Sequence, residues 1–303
     1  MAVPPRHPNS KWLVATEWLA AHIDSPGVVV LDGSFYLPAM KRDAAAEYLA
    51  GHIPGAIRFD IDEIADKSVD LPHMLPSPTE FAAAAGKLGI GETDTIIAYD
   101  GHGMFSSPRV WFTFRLFGAD NVFILEGGLP RWKAEGRPLE SGNVARPATT
   151  FTARRRGDIV ASLDQVRNAL VSRSTQIVDA RSPERFRGEA PEPRPGVHSG
   201  HMPGSFNVPS AALVDAGALL PRDQVRQAFD DGDVGAEGNL GGASRGDRAG
   251  RAYRAGDRYA GRGCTGIDCR EDRSSADPPQ AGHDHEPIRG ALHFAANELE
   301  ERH

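Results

Sequence analysis

Residues 51–56 read Gly-His-Ile-Pro-Gly-Ala, and residues 200–205 read Gly-His-Met-Pro-Gly-Ser. Each stretch follows, at a similar distance, an apolar run that ends in an aspartate: Asp32 in the first half and Asp179 in the second. A motif that returns in the same local context indicates a duplicated structural unit. The sequence therefore predicts two related halves, although only the first half continues with further strand-like runs.

The composition is that of an ordinary globular protein. The 303 residues, 40% apolar and 25% charged, leave room for two domains of about 150 residues each. A formal charge of -7 with interspersed acidic and basic residues indicates neither a nucleic-acid nor an anionic-membrane partner. No stretch approaches a membrane-spanning length and residues 1–8 carry no signal-peptide core, so the cytoplasm is the expected location. No cofactor is expected.

The first half alternates strand-like and helix-like segments. Strands are predicted at 28–31, 95–100 and 121–125, whose continuous apolar character is typical of a parallel sheet covered on both faces. A helix is predicted over 44–50, and Pro108 suits the first turn of another helix. Because that second helix follows a strand and a short loop, its N-terminus has the geometry of an anion-binding site.

The second half begins in a similar way. Ser162 and Gln165 form a capping-box pattern for a helix over 162–171, and a strand is predicted over 176–179. Residues 229–234 then stand where a helix should lead into a buried strand.

The apolar pattern collapses after about residue 234. Between Gly235 and Glu286 the only Ile, Leu, Val, Met, Phe or Trp residues are Leu240 and Ile267. Such a segment buries too little apolar area to offset the loss of chain entropy, so disorder is expected. Two explanations are open: a genuine flexible tail, and a reading frame that has shifted. The shift, or an equivalent sequence error, is favoured because the break falls in the middle of a domain.

Four motifs occur in order along the chain: GHIPGA (51–56), SPRVW (107–111), GGLPRW (127–132) and RFRGEAPEPR (185–194). As an ordered set they resemble the tandem-rhodanese sulfurtransferases, and among them the 3-mercaptopyruvate branch. The resemblance covers residues 11 to about 234.

The resemblance implies an α/β fold of two rhodanese-like domains, each a parallel sheet flanked by helices, with the second incomplete after about residue 234. The predicted boundaries are 1–140 for a first, catalytically silent domain, 141–155 for a linker, 156–234 for part of a second domain, and 235–303 for the tail. In this family the silent domain has a residue other than cysteine in its loop, and Asp100 stands at that position here.

The implied reaction moves the sulfane sulfur of 3-mercaptopyruvate to a thiol or cyanide through a cysteine persulfide and releases pyruvate. The expected partners are therefore a small anionic sulfur donor and one of these acceptors. Because the cysteine loop of the second domain is missing, the chain as printed is expected to be inactive. Two alternatives stay open: a thiosulfate:cyanide sulfurtransferase, and a non-catalytic rhodanese-like binding or regulatory protein.

Two arginines, Arg185 and Arg194, flank a Pro-Glu-Pro stretch whose prolines restrict the loop. Their guanidinium groups can converge on one small carboxylate, and a planar fork suits a 2-oxo acid. Taken alone, two solvated loop arginines would be the simpler interpretation. The resemblance favours substrate binding, and Arg194 after Pro193 favours mercaptopyruvate over thiosulfate.

A second candidate group comprises Asp62 and His73. The resemblance implies that they form a proton relay with a serine of the missing cysteine loop, with His73 exchanging the proton and Asp62 orienting it. The alternative is a surface histidine beside an unrelated carboxylate.

Cys264 is the candidate nucleophile by element, and a weak one, since it lies later than the duplicated spacing predicts and no apolar run leads into it. The spacing from Cys264 to Cys269 is not that of a zinc site. His52 and His201, in the two repeated turns, are expected to make local hydrogen bonds. No metal site is predicted.

Overall fold

The computed structural model describes residues 2–157, 159–193 and 197–234. The predicted tail over 235–303, Cys264 within it, and Arg194 lie outside the described residues. The helices are α1 (Thr16–His22), α2 (Ala44–Ala50), α3 (Pro78–Lys87), α4 (Ser107–Leu116), α5 (Gly128–Ala134), α6 (Leu163–Ser172), α7 (Pro183–Phe186) and α8 (Arg222–Asp230). The strands are β1 (Leu13–Val14), β2 (Val28–Asp32), β3 (Ile57–Arg58), β4 (Thr95–Tyr99), β5 (Val122–Leu125), β6 (Val178–Asp179), β7 (Phe206–Asn207), β8 (Val214–Asp215), β9 (Ala218–Leu219) and β10 (Asp233–Val234).

A five-stranded parallel sheet in the order β1-β5-β4-β2-β3 organises the first half. Strand β2 pairs with β4 from Val28 opposite Thr95 to Asp32 opposite Tyr99, so the carboxyl ends of the two strands lie side by side. Neighbouring parallel strands that are not consecutive in sequence require crossovers, which the helices supply. The strands and the helix over 44–50 predicted from apolar runs are confirmed.

Both faces of this sheet are buried, as the uninterrupted apolar runs indicate. Leu31 and Ala98 point into a core with many phenylalanines, whereas Val30 and Ile97 point into a second core on the opposite face. The period of two in a strand therefore divides one run between two cores. Strands β2 and β4 are held on both sides, which makes their carboxyl ends firm positions from which to build a site.

Residues 138–156 pack along the first half, which the interpretation of 141–155 as a polar linker did not anticipate. The Phe151 side chain is only 4% exposed, and its ring centroid lies 5.5 Å from that of Phe81. The backbone is tied down as well, because the Thr149 amide donates to the Gly86 carbonyl at 2.9 Å and the Arg154 amide donates to Phe117 at 2.9 Å. Phe151 thus belongs to the core of the first half, although most of the segment around it is exposed.

The described part of the second half, which ends at residue 234, has a much thinner core. Strand β6 pairs in parallel with β7, as β2 does with β3. Helix α6 begins at the predicted capping box, where the Ser162 hydroxyl accepts from the Gln165 amide, but neither α6 nor α8 contains a buried residue. Helix α8 ends at Asp230 and leads to strand β10, which pairs antiparallel with β7.

A tight turn of the second half contacts the first half. Strands β8 and β9 form a hairpin whose turn residues, Ala216 and Gly217, both have positive φ, at 46° and 80°. The Gly217 carbonyl accepts a hydrogen bond of 2.9 Å from the Gly127 amide. A Cβ atom on Gly103 would lie 2.7 Å from the Gly217 Cα, so this approach requires glycine.

Among the described helices, none has the length and apolar character needed to cross a membrane.

We expect Phe151→Ala to destabilise the first half by about 3–5 kcal/mol, because it removes a buried ring that neighbouring side chains cannot replace. Urea unfolding followed by tryptophan fluorescence measures the change. Leu139→Ala, in the same segment but exposed, serves as the control and should shift stability by less than about 0.5 kcal/mol. Equal effects of the two substitutions on the unfolding free energy would show that the Phe151 side chain is not part of the core.

Native-state hydrogen exchange should protect residues 28–125 more strongly than residues 175–210. The reason is that the first half has two buried cores, whereas helices α6 and α8 bury none of their residues. Equal protection in the two regions would contradict the view that the second half is loosely packed.

Candidate active site

The Asp62 carboxylate and the His73 ring meet beyond the carboxyl end of β3. Oδ1 of Asp62 lies 2.6 Å from Nδ1 of His73. Asp60 shapes the turn that presents Asp62, because its Oδ1 accepts from the amides of Asp62 and Glu63 at 2.9 and 3.2 Å. A histidine whose Nδ1 lies this close to a carboxylate keeps Nε2 available to exchange a proton.

Three further contacts fix the position of His73. Its backbone has a φ of 63°, in the left-handed region that few residues other than glycine adopt. The Arg109 guanidinium donates to its carbonyl oxygen. The Phe35 ring packs edge-on against the imidazole, with 4.9 Å between ring centroids. A strained backbone that neighbouring groups hold in place is common at functional sites.

A cavity of about 330 Å³ opens at the same edge of the sheet. It lies where β2 and β3 end, and its wall includes Phe35, Tyr36, Arg42, Arg58 and Asp62. Ligands of open α/β sheets bind outside the carboxyl ends of the strands. The cavity opens at this end of the strands, and Asp62 forms part of its wall.

The loop between β4 and α4 forms a cradle for one negative charge, and Asp100 fills it. Oδ1 of Asp100 accepts from the amides of His102 and Gly103 at 2.9 and 2.7 Å. Its Oδ2 accepts from the next group of amides, those of Phe105, Ser106 and Ser107, at 2.8, 2.9 and 2.8 Å. The residue is fully buried. The anion-binding geometry predicted at this helix N-terminus is present, and its occupant is the carboxylate of the chain itself.

Arg185 lies in the second half, at the end of α7, and contacts a buried glutamate. Its Nε lies 3.2 Å from Oε2 of Glu192, and its Nη2 donates to the same oxygen. On the other side, Nη1 of Arg181 lies 2.9 Å from Oε1 of Glu192. The Arg181 guanidinium also binds Asp179 at the end of β6, and this contact raises the pKa of Arg181.

The two repeated turns have the same local arrangement around their histidines. Nδ1 of His52 lies 2.8 Å from the Tyr48 carbonyl oxygen, and Nδ1 of His201 lies 2.7 Å from that of Phe186. Each imidazole stacks on the ring of the same partner, with centroid distances of 4.3 and 3.9 Å. The prediction of a local hydrogen bond is confirmed for His52, whereas the partner of His201 lies 15 residues earlier in the chain. Among the residues that the structure describes, no group of three or more potential ligands could hold a metal ion.

Of the five predicted site residues, Asp62 and His73 are in contact and Arg185 is held by a salt bridge. Arg194 and Cys264 lie outside the described residues. Sequence reasoning assigned no role to Glu192, Arg109 or Phe35. The Pro-Glu-Pro sequence could have indicated a role for Glu192, since the two prolines restrict the backbone and so limit the directions available to the carboxylate between them.

We expect Asp100→Asn to destabilise the first half by about 3–5 kcal/mol, because asparagine has one acceptor oxygen where aspartate has two, and its NH₂ would face at least two N–H groups that then lack an acceptor. The unfolding free energy in urea measures this. Asp43→Asn is the matched control: Asp43 accepts from the Ala45 and Ala46 amides at the start of α2, and asparagine caps a helix about as well as aspartate, within about 0.5 kcal/mol. A loss of less than about 1 kcal/mol for Asp100→Asn would show that the cradle does not need a full negative charge.

The profile of the Rhodanese-like domain matches residues 15–135. The 3-mercaptopyruvate sulfurtransferase of Escherichia coli K12 is 41% identical over 222 residues, which are 73% of this chain and 79% of that protein. The mitochondrial thiosulfate/3-mercaptopyruvate sulfurtransferase 1 of Arabidopsis thaliana is 40% identical over 249 residues, 75% of this chain but only 65% of the relative.

Among solved structures, the E. coli 3-mercaptopyruvate sulfurtransferase SseA superposes with a TM-score of 0.68 at 40% identity, covering 72% of this chain and 82% of that one. The α/β rhodanese fold expected from the motifs is thereby confirmed. The chain belongs to the rhodanese-like sulfurtransferase family, in its 3-mercaptopyruvate branch.

Proposed function

We propose that the protein transfers the sulfane sulfur of 3-mercaptopyruvate to a thiol or cyanide through a cysteine persulfide. The contact of 2.6 Å between Asp62 and His73 beside the cavity carries this proposal. A thiolate attacks the donor sulfur, the C–S bond breaks, and its electrons leave on the enolate of pyruvate. The enolate must then take up a proton, which His73 delivers while Asp62 orients the imidazole.

Arg185 binds the donor carboxylate in this proposal, together with Arg194. A guanidinium group is always charged and matches a carboxylate with two parallel donors. Arg185 binds Glu192 through Nε and Nη2, which leaves its Nη1 side for the donor. The arginines orient a carboxylate that does not react, so that the thiol of the donor can be presented to the nucleophile.

The proton-handling pair favours mercaptopyruvate over thiosulfate as the donor. Loss of sulfur from thiosulfate releases sulfite, which leaves no carbanion to protonate. Loss of sulfur from mercaptopyruvate releases an enolate, which gains most from a positioned proton donor. A thiosulfate:cyanide sulfurtransferase would not need the Asp62–His73 pair. The relative turnover of the two donors distinguishes these activities.

The chain as printed lacks a nucleophile in a suitable setting. Asp100 occupies the cradle of the first half, and a carboxylate cannot carry a sulfane sulfur. No run of apolar residues precedes Cys264 in the sequence. We therefore propose that the gene is read in a shifted frame after about residue 234, and that the chain as printed does not turn over.

Reading the two other frames of codons 235–303 is the direct test. One frame should encode an apolar run of about five residues, then Cys-Gly-Ser-Gly or a close variant, then helix-forming residues. The printed chain should show no cyanolysis of mercaptopyruvate or thiosulfate above background. If both frames contain stop codons or encode only polar residues, the non-catalytic binding protein is favoured instead. Genuine activity of the printed chain that Cys264→Ser abolishes would overturn the assignment of the nucleophile.

In the frame-restored protein, Asp62→Asn should lower kcat for mercaptopyruvate at least about tenfold, with KM changed by less than about twofold. The reason is that Asp62 orients the proton-carrying histidine and does not touch the carboxylate of the donor. Asp70→Asn, an exposed aspartate between the two relay residues, is the control and should leave both constants unchanged. A rise in KM alone would place Asp62 in donor binding.

A further inference from the structure

The Glu192 side chain, which pairs with Arg185, is buried, with only 4% of it exposed. It lies between two prolines in the loop after α7. A buried carboxylate is costly unless it is paired and hydrogen-bonded on all sides. The groups that bind the Glu192 carboxylate therefore explain how a negative charge is stabilised at this buried position.

The contact with Arg185 is side-on. Nε of Arg185 lies 3.3 and 3.2 Å from Oε1 and Oε2 of Glu192, and Nη2 donates to Oε2. A guanidinium has two edges that can each bind a carboxylate. This contact uses the Nε–Nη2 edge, so Nη1 makes no bond to Glu192. The orientation of the whole planar guanidinium, including the Nη1 side, is thus set by Glu192.

Glu192 is itself anchored to the sheet. Nη1 of Arg181 lies 2.9 Å from Oε1 of Glu192, and Nε of Arg181 lies 3.0 Å from both oxygens of Asp179. The Arg181 Nη2 also donates to the Gly200 carbonyl at 2.6 Å. Asp179 ends strand β6. A row of alternating charges therefore runs from the strand end through Arg181 and Glu192 to Arg185.

We propose that Glu192 is a positioning residue that holds the Arg185 guanidinium in the orientation that receives the donor carboxylate. This inference rests on the proposed function, in which Arg185 binds the donor. Glu192 does not touch the donor and acts only through Arg185. A long arginine side chain that is fixed before binding loses less conformational freedom when the donor arrives.

A competing role for Glu192 predicts the opposite sign. If Glu192 only occupied Arg185 in the absence of donor, its removal would release a positive charge and tighten the binding of any small anion. If it positions Arg185, its removal weakens binding of the anion, because the Arg185 guanidinium must then be ordered by the donor itself. The sign of the effect therefore separates the two roles.

The experiment uses the full-length chain with ¹⁵N-labelled arginine, and pyruvate, the released product, as the probe. The Arg185 Nε–H signal is assigned from its loss in Arg185→Lys. In the wild type it should be resolved and exchange slowly with water, whereas in Glu192→Gln it should merge with the signals of exposed arginines. The Kd for pyruvate should rise about tenfold, or about 1.4 kcal/mol.

Glu189→Gln is the matched control. Glu189 lies in the same loop and pairs with Arg187 at 3.0 Å, but it is exposed. This variant should leave the Arg185 signal in place and change the Kd for pyruvate by less than about twofold. If Glu192→Gln disturbs the amide spectrum of the second half, Glu192→Asp replaces it. Aspartate keeps the charge but withdraws the carboxylate by one methylene, and it should release the Arg185 signal in the same way.

Two outcomes would overturn the proposal: an unchanged Arg185 Nε–H signal in both Glu192 variants, or pyruvate binding that is unchanged or tighter. Failure of the wild type to bind pyruvate would instead count against the donor site of the proposed function. The Arg185 signal would still decide whether Glu192 orients the guanidinium, so the two failures are distinguishable.

Discussion

The Asp100 carboxylate, with its row of backbone N–H donors, holds together much of what surrounds the candidate site. It shapes the loop that starts α4, and α4 carries Arg109, whose guanidinium binds the His73 carbonyl. The same loop presents Ser106, whose hydroxyl donates to the Gly33 carbonyl and accepts from the Phe35 amide. A single buried charge thereby links the end of β4 to the segment that bears His73. Removing it leaves the N–H groups without an acceptor in a place that water does not reach.

In the second half, too, an aspartate at the end of a strand organises the residues around it. Asp179 lies at the end of β6, as Asp32 lies at the end of β2, and each carboxylate accepts from the amide two residues later. In the second half the row of charges continues outward to Arg185, whereas the first half ends in the cavity beside Asp62. The groups proposed for donor binding and for proton transfer thus stand on different halves, each anchored to the end of a strand. Rigid strand ends suit this purpose, since small errors in position cost much in catalysis.

Local patterns predicted the first half well, because its strands are apolar throughout and its helices have clear start signals. The runs ending at Asp32 and Tyr99 became central strands, and Pro108 lies in the first turn of α4. The packing of Phe151 could not be predicted, since a single aromatic in a polar segment does not show which core it enters. The antiparallel pairing of β10 with β7 was not predicted, because strand direction depends on tertiary contacts rather than on local composition.

The site was only half predictable from residue types. Asp62 and His73 were identified through motif resemblance, and their contact required the fold. What residue types do decide is the chemistry of the cradle after β4. A row of N–H groups at a helix N-terminus stabilises any anion placed there, whether a carboxylate or a thiolate. With aspartate the anion is permanent and unreactive, and the loop becomes a structural element. With cysteine the same donors would lower the pKa of a thiol and make it a nucleophile. The identity of the residue after the strand therefore decides whether the loop is structural or catalytic. In the first half that residue is Asp100, and the loop is structural.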